Sequence, residues 1–333
     1  MTDVDLLIVG GGIAGLSAAW QAKRAGRAVT LVDEGIHRAS DLPIALINPL
    51  RGHTGRLVTD GIAGMQATFA LIDNLRDAGH AIDSGRGLYR PLIEVVPEAR
   101  HEAFWRAKLD GRLAFDWYDS APEALGLVER MPCLRVHAAG WVAPHSLLDA
   151  LTVASDATFV VDRVTRIARH GPRHVVALAS GSTLTARSIL WCGGAWGAAL
   201  LDRQAATPSG DALYKPGSLL AVDTLLTATP LSFGLYAAPF EAKRTLIGPT
   251  REGSNATFPD EPVAPEVVAH LGDRIARVFG TTMTAREVWR GVRLTRLSSS
   301  ATVALDGIPT LTALGSRGFL MAPLLAATWA RSL

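Results

Sequence analysis

The chain has 333 residues, of which 48% are hydrophobic and 19% are charged, and its formal net charge at neutral pH is +2. This length accommodates two hydrophobic cores, and the composition is that of a folded globular protein, which excludes an intrinsically disordered chain. The small net charge does not by itself indicate a nucleic-acid-binding protein, although it is compatible with a local basic patch.

Targeting and metal-binding signals are missing from the sequence. No basic segment precedes a leader-type apolar run, and no apolar run reaches the ~20 residues of a membrane span. The two cysteines, Cys133 and Cys192, form neither a disulfide framework nor a metal cluster, and the nine histidines show no metal-ligand spacing. We therefore expect a cytoplasmic protein with no metal and no membrane association.

The first elements alternate between strand and helix. The apolar run Leu6–Val9 predicts a strand, residues 14–25 a helix, and Ala28–Val32 a second strand. Further along, hydrophobic patterning predicts helices at 61–78, 97–120, 146–154 and 265–279, strands at 87–93, 160–169, 174–179, 187–192, 286–293 and 310–314, several strands within 213–250, and a C-terminal apolar helix. Trp105, Phe115 and Trp117 within 97–120 are interpreted as core residues.

A glycine-rich turn separates the first strand from the first helix. In the sequence Gly10-Gly11-Gly12-Ile13-Ala14-Gly15, Gly10 permits the turn, Gly12 lets the backbone approach a phosphate, and Gly15 lets the helix pack against the sheet. Asp33 and Glu34 end the second strand, where an acidic side chain accepts hydrogen bonds from an adenosine ribose. The pattern predicts a dinucleotide site with the pyrophosphate at the helix N-terminus.

Further motifs follow in a recognisable order. They are Ala39-Ser40 with Ala45, Gly140–Pro144, Cys192–Trp196, Gly234–Pro239, Leu246–Glu252, Trp289–Arg293, and Gly315–Phe319 with Ala322–Leu324. Together with the glycine-rich turn they resemble the FAD-dependent oxidases of the D-amino acid oxidase superfamily. The similarity is greatest to glycine oxidase and to the oxidase half of a bacterial enzyme that modifies the tRNA wobble uridine.

This resemblance implies an α/β fold in which a Rossmann-like FAD domain is joined to a mixed β-sheet substrate domain. The expected FAD domain comprises residues 1–80, 140–205 and 293–333, and the expected substrate domain comprises 81–139 and 206–292. The residues expected to contact FAD are Gly10, Gly12, Ile13, Ala14, Gly15, Asp33, Glu34, Ser40, Ala45, Val164, Cys192, Gly193, Gly194, Trp196, Gly315, Arg317, Gly318 and Phe319.

Three residues are expected to serve catalysis. In the related enzymes, the arginine at the position of Arg293 holds the substrate carboxylate, because a guanidinium binds a carboxylate through two parallel hydrogen bonds. Tyr236 is expected to reach the substrate cavity from its strand. Arg317 is expected beside the flavin, where the backbone of its glycine-flanked turn would stabilise the reduced, anionic flavin.

The implied reaction is oxidation of a C–N bond in an amino acid or N-substituted glycine, with hydride transfer to FAD, hydrolysis of the imine and formation of peroxide. A carboxymethylaminomethyl group on tRNA is one candidate substrate, so the expected partners are a small amine or amino acid and tRNA. One alternative is an oxidase or dehydrogenase of free D-amino acids or sarcosine. Another is a non-catalytic FAD-binding subunit, since Leu294 stands where the family usually has a proline after the arginine. The sequence leaves the oligomeric state open.

Overall fold

The chain forms two large β-sheets and a group of helices, which the computed structural model describes over residues 2–36, 38–52, 54–93, 95–207, 209–250, 252–253, 255, 264–281 and 284–333. In chain order the strands are β1 (Thr2–Val9), β2 (Val29–Val32), β3 (Ala45–Ile47), β4 (Leu50–Arg51), β5 (Arg56–Leu57), β6 (Ser84–Pro91), β7 (Phe115–Tyr118), β8 (Cys133–Val142), β9 (Thr158–Val160), β10 (Val164–His170), β11 (Arg173–Leu178), β12 (Thr183–Trp191), β13 (Leu213–Val222), β14 (Leu231–Ser232), β15 (Tyr236–Phe240), β16 (Arg244–Gly248) and β17 (Ala285–Arg296). The helices are α1 (Ile13–Arg24), α2 (Gly61–Asp77), α3 (Glu102–Leu109), α4 (Pro144–Ala154), α5 (Gly194–Gln204), α6 (Pro265–Phe279), α7 (Ser299–Ala304) and α8 (Gly318–Ala330).

Strand β1 lies inside a six-stranded sheet with the order β10-β11-β12-β1-β2-β9. It runs parallel to β12 and β2, and Val9 is in register with both Trp191 and Val32. Because the three strands end at the same edge, the residues that follow them are brought together there. The residues of β1 from Leu6 onward are buried on both faces, which explains the unbroken apolar run in the sequence.

The second sheet has nine strands, with the order β17-β13-β16-β15-β14-β6-β8-β3 and with β7 paired to β8. Its pairs are antiparallel except β14 with β6. Five helices (α1, α2, α3, α4 and α8) share one apolar core with residues of both sheets, and representative members of this core are Ile8, Leu16, Phe69, Val136, Leu147 and Met321. On the other side of the first sheet, α5 packs with residues of β13 and β17.

Two of the predicted elements are wrong. The helix predicted over 97–120 ends at Leu109, because Asp110 and Gly111 both adopt positive φ, and Phe115–Tyr118 then pairs with β8 as a strand. Trp105 is nonetheless fully buried, as predicted.

The strand predicted over 310–314 is reduced to a single bridge between Thr310 and Trp191. Ala313 lies at φ +57°, which is incompatible with a continuing strand.

Two helical glycines provide a test of the packing between α2 and α8. A Cβ on Gly64 in α2 would lie 2.4 Å from the carbonyl oxygen of Leu320 in α8, whereas a Cβ on Gly272 in α6 would meet no atom within 4 Å. We expect Gly64→Ala to lower stability by about 1–3 kcal/mol through overpacking. The same change at Gly272 should raise stability by about 0.5–1 kcal/mol, because alanine favours helix.

The measurement is the urea-induced unfolding of both variants beside the parent protein. Equal shifts of the two midpoints would contradict the close approach of α2 and α8.

Candidate cofactor and substrate site

The turn after β1 depends on two glycines that no other residue could replace without displacing backbone. Gly10 adopts φ +103°, and a Cβ there would lie 2.5 Å from the carbonyl oxygen of Cys192. A Cβ on Gly15 would lie 1.8 Å from the carbonyl oxygen of Gly10. Gly15 therefore lets α1 pack directly against the turn.

The N-terminus of α1 opens onto the same edge of the sheet. The Ile13 amide donates to the Ser40 hydroxyl over 3.1 Å, and the first turn of α1 contains no acidic residue. The unpaired amides and the positive end of the helix dipole are therefore available to an anion.

The two acidic residues after β2 differ in their surroundings. Asp33 accepts hydrogen bonds from the amides of Gly11 (2.6 Å) and Gly35 (2.7 Å) and from Arg38 Nε (2.8 Å). Glu34 has a looser contact, an ion pair of 3.7 Å with Arg163. Asp33 thus closes the loop, and Glu34 is the carboxylate with more capacity to accept a ribose hydroxyl.

The opposite wall follows β12. The Cys192 amide donates to the carbonyl oxygen of Val9 (2.7 Å), and burial raises the pKa of the Cys192 thiol well above its usual range. A neutral, buried thiol is a poor nucleophile, so this geometry supports a packing role for Cys192 beside the cleft. Gly194 begins α5 at φ +57°.

These walls line an open cleft, and the space between them measures about 1170 Å³ when its mouth to solvent is included. The predicted site residues that line it are Gly10, Gly12, Ile13, Ala14, Asp33, Glu34, Ser40, Val164, Cys192, Gly193, Gly194, Trp196, Arg293, Gly315 and Gly318. Sequence reasoning missed several other lining residues, among them Arg38, Arg163, Trp191 and Thr312. Trp191 directly precedes the predicted Cys192–Trp196 turn, which is the one signal that pointed to it.

The remaining predicted site residues lie off the cleft wall for identifiable reasons. Ala45 is buried in β3 opposite Val142, and Phe319, in the first turn of α8, is buried in the apolar core. Arg317 donates from Nε to the carbonyl oxygen of Leu314 over 3.3 Å, at the end of the cleft.

Tyr236 is also buried away from the cleft wall. Its hydroxyl donates to the carbonyl oxygen of Ile44 over 3.3 Å, and it lies in an apolar cluster with Leu219 and Leu246. Burial raises the pKa of the phenol far above its usual range, so the group stays protonated. In this arrangement Tyr236 supports the wall behind Arg293.

The two arginines of the Trp289–Arg293 motif have different partners. Arg290 forms two hydrogen bonds with Glu252 (Nη1 to Oε1 3.1 Å, Nη2 to Oε2 2.9 Å) and one with the Ser218 hydroxyl. Its charge is therefore neutralised within the protein. Arg251, which belongs to the neighbouring predicted motif, lies outside the described residues.

Arg293 lines the cleft, and among the described residues it donates to backbone carbonyls alone, from Nε to Lys215 (3.3 Å) and from Nη2 to Pro216 (2.9 Å). A Cβ on Gly217 would lie 2.7 Å from its Nη2, so that glycine makes room for the guanidinium. Burial lowers the pKa of Arg293, and the charges of Tyr236 and Glu252 oppose this effect only in part. Within the described part of the chain, no carboxylate pairs with it.

The cleft has the properties required to hold FAD. The glycine turns bring backbone close to the space beside α1, and two buried polar atoms on the wall, Trp191 Nε1 and Thr312 Oγ1, have no hydrogen-bond partner among the described residues. Buried donors of this kind are normally satisfied, and a bound dinucleotide offers acceptors along its whole length.

The described residues show neither a metal site nor a membrane-spanning helix. No group of three or more His, Cys, Asp or Glu side chains is placed there to hold a metal ion. None of the helices in the described part of the chain is long and apolar enough to cross a lipid bilayer.

Known structures share this fold. Glycine oxidase from Bacillus cereus superposes with a TM-score of 0.76 at 19% identity, over 99% of this chain and 94% of that one. Iminodiacetate oxidase from Chelativorans sp. superposes with a TM-score of 0.74 at 20% identity, over 98% and 94%. At these identities the likeness establishes the architecture.

Sequence comparison gives the family. A curated relative, the tRNA 5-methylaminomethyl-2-thiouridine biosynthesis bifunctional protein MnmC of Caulobacter vibrioides, is 29% identical over an alignment of 334 positions, which covers 96% of this chain. The chain spans about half the length of that relative (53%). The model of the FAD-dependent oxidoreductase family DAO matches residues 5–331. The chain therefore belongs to the DAO family of FAD-dependent oxidoreductases.

Proposed function

We propose that this protein oxidises the C–N bond of an N-substituted glycine, using Arg293 to hold the substrate carboxylate. The observation that carries the proposal is the contrast between Arg290, neutralised by Glu252, and Arg293, which lines the cleft and has no carboxylate partner in the described part of the chain. A guanidinium held in place by backbone carbonyls is well placed to orient an incoming carboxylate.

The two sheets also suggest how the chain divides into a cofactor domain and a substrate domain. We propose that residues 1–80, 140–205 and 293–333 hold the cofactor, and that 81–139 and 206–292 form the substrate side. The six strands of the first sheet fall within the former segments, and most strands of the second sheet fall within the latter. Arg293 stands at the boundary between the two.

The residues of the cleft also bear on the protonation of the substrate. When bound, FAD supplies the capacity to accept two electrons and a proton as hydride from the carbon beside the amine. Only a neutral amine releases hydride readily, and the positive charge of Arg293 disfavours a second cation beside it. The half-buried walls strengthen this effect by excluding water.

The products follow from the bonds that change. Loss of hydride leaves a C=N bond, water adds to it, and the C–N bond breaks to give glyoxylate and the amine. Molecular oxygen is the proposed final acceptor of the two electrons and leaves as hydrogen peroxide. Each turnover thus consumes one substrate, one water and one oxygen.

The finer proposal concerns the carrier of the glycine group. The similarity to MnmC along 96% of the chain, together with the Gly315–Phe319 motif, supports a carboxymethylaminomethyl group on a tRNA wobble uridine. The alternative is a free substrate such as sarcosine or a D-amino acid. Mass spectrometry of nucleosides from treated tRNA, beside glyoxylate assays with free amines, distinguishes the two. If the protein turns over neither class of substrate, that result would favour the alternative of a non-catalytic FAD-binding subunit.

The role of Arg293 is tested by Arg293→Gln. Removing one partner of a buried charge pair costs about 2–5 kcal/mol, so kcat/KM for the N-substituted glycine should fall roughly thirtyfold or more, mainly through KM. FAD content should be unchanged.

The matched control is Arg296→Gln on the same strand. Arg296 is exposed and donates to the carbonyl oxygen of Asp211, so this variant should keep the parental KM. Equal losses in both variants would overturn the assignment of Arg293.

The role of Trp191 is tested by Trp191→Phe, which keeps an aromatic ring and removes the Nε1 donor. Loss of one hydrogen bond of about 0.5–1.5 kcal/mol should raise the dissociation constant of FAD roughly two- to tenfold. Titration of the apoprotein with FAD gives this constant directly.

Trp105→Phe is the control, because the Trp105 indole donates to the Ala99 carbonyl instead (2.8 Å). An unchanged FAD affinity in Trp191→Phe would show that Trp191 does not contact the cofactor.

A further inference from the structure

Three arginines meet at one end of the cleft. Arg51, the last residue of β4, donates from Nη2 to the Ser316 hydroxyl. Ser316 belongs to the 3₁₀ turn Gly315–Arg317, which places Arg317 next to this contact. Arg293 lines the cleft together with Leu314 and Gly315, at the start of the same turn. We call Arg51, Arg293 and Arg317 the arginine cluster.

The members of the cluster act on one another electrostatically. Burial lowers the pKa of Arg51, and the charges of Arg317, Arg56 and Arg293 lower it further. Like charges that are partly withdrawn from water destabilise a protein unless an anion compensates them.

The described part of the chain supplies no such anion. No Asp or Glu oxygen described in the structure lies within ion-pair distance of Arg51, Arg293 or Arg317. The nearby Glu252 is engaged with Arg290 through both of its oxygens. A single substrate carboxylate on Arg293 would therefore leave Arg51 and Arg317 uncompensated.

We propose that Arg51, together with Arg317, binds a second anionic group of the substrate. The site then takes an N-carboxymethyl amine whose other nitrogen substituent carries a carboxylate or a phosphate. This inference rests on the proposed function, because Arg293 is assigned to the first carboxylate. The second anion has two possible sources, a free iminodicarboxylate or a phosphate of the RNA that carries the amine.

The first experiment compares iminodiacetate with N-methylglycine, which lacks the second carboxylate. If the second anion is a free carboxylate, kcat/KM of the FAD-loaded parent enzyme should favour iminodiacetate at least tenfold. Arg51→Gln should reduce this preference by a factor of ten or more. The matched control is Arg56→Gln, which removes the exposed charge directly opposite Arg51 in the β4–β5 pair and should leave the preference as it is.

The second arm tests the RNA source. It compares tRNA bearing 5-carboxymethylaminomethyluridine with the free modified nucleoside. If the anion is an RNA phosphate, the parent enzyme should favour the tRNA, Arg51→Gln should reduce that preference, and iminodiacetate should show no advantage over N-methylglycine.

Three results would overturn the inference. The parent enzyme could prefer the dianionic substrate in neither arm, Arg51→Gln could slow both members of each pair equally, or it could shift the flavin midpoint potential with the preference unchanged. An equal slowing of both substrates would show that Arg51 supports the fold, and a shifted flavin midpoint potential would show that it acts on the flavin.

Failure of the proposed function is recognised separately, since no amine would then reduce the flavin. In that case the perturbation of the flavin absorbance spectrum gives the affinities for iminodiacetate and N-methylglycine. Tighter binding of iminodiacetate that is lost in Arg51→Gln would uphold the second anion site without turnover, whereas equal affinities would overturn it.

Discussion

The close approach of three backbone segments at one edge of the first sheet sets the geometry of the whole site. The carbonyl oxygens of Gly10 and Cys192 occupy the places where side chains of Gly15 and Gly10 would stand. This contact fixes the position of α1 relative to β1 and β12, so that the N-terminus of α1 and the segment after β12 line one cleft. A side chain at either glycine would force these segments apart and change the shape of the cofactor site.

The second constraint is electrostatic and lies on the other side of the cleft. In the middle of strand β17, the protein neutralises Arg290 with Glu252, whereas Arg293 donates to backbone carbonyls. Carbonyl dipoles position a guanidinium without cancelling its charge. The site thereby keeps a fixed cation for an incoming anion, and Arg51 adds another beside the Gly315–Arg317 turn.

The sequence predicted the features that depend on local rules. The glycine-rich turn, α1 and β2 follow from apolar runs and from glycines with a steric purpose, and the structure confirms them. Fifteen of the predicted site residues line the cleft, and ten of them belong to segments that directly follow β1, β2 or β12 at one edge of the sheet.

The sequence did not predict features that depend on contacts between residues far apart along the chain. The strand Phe115–Tyr118 is stabilised by pairing with β8, which periodicity cannot reveal. The Tyr236 hydroxyl is buried against Ile44, which is far away along the chain. Asp33 closes its loop by accepting from backbone amides, which have no signature in the sequence. No sequence motif pointed to Arg51, because its proposed role follows only from its contact with Ser316.

The most direct test of the account is anaerobic mixing of the FAD-loaded protein with an N-substituted glycine, free or carried on tRNA, and with a matched amine that lacks the carboxylate. Flavin absorbance reports reduction without any assumption about the final electron acceptor. The account predicts rapid bleaching by the carboxylate-bearing amine and little by its neutral counterpart. Equal bleaching by both amines, or a yellow protein that no N-substituted glycine reduces, would contradict it.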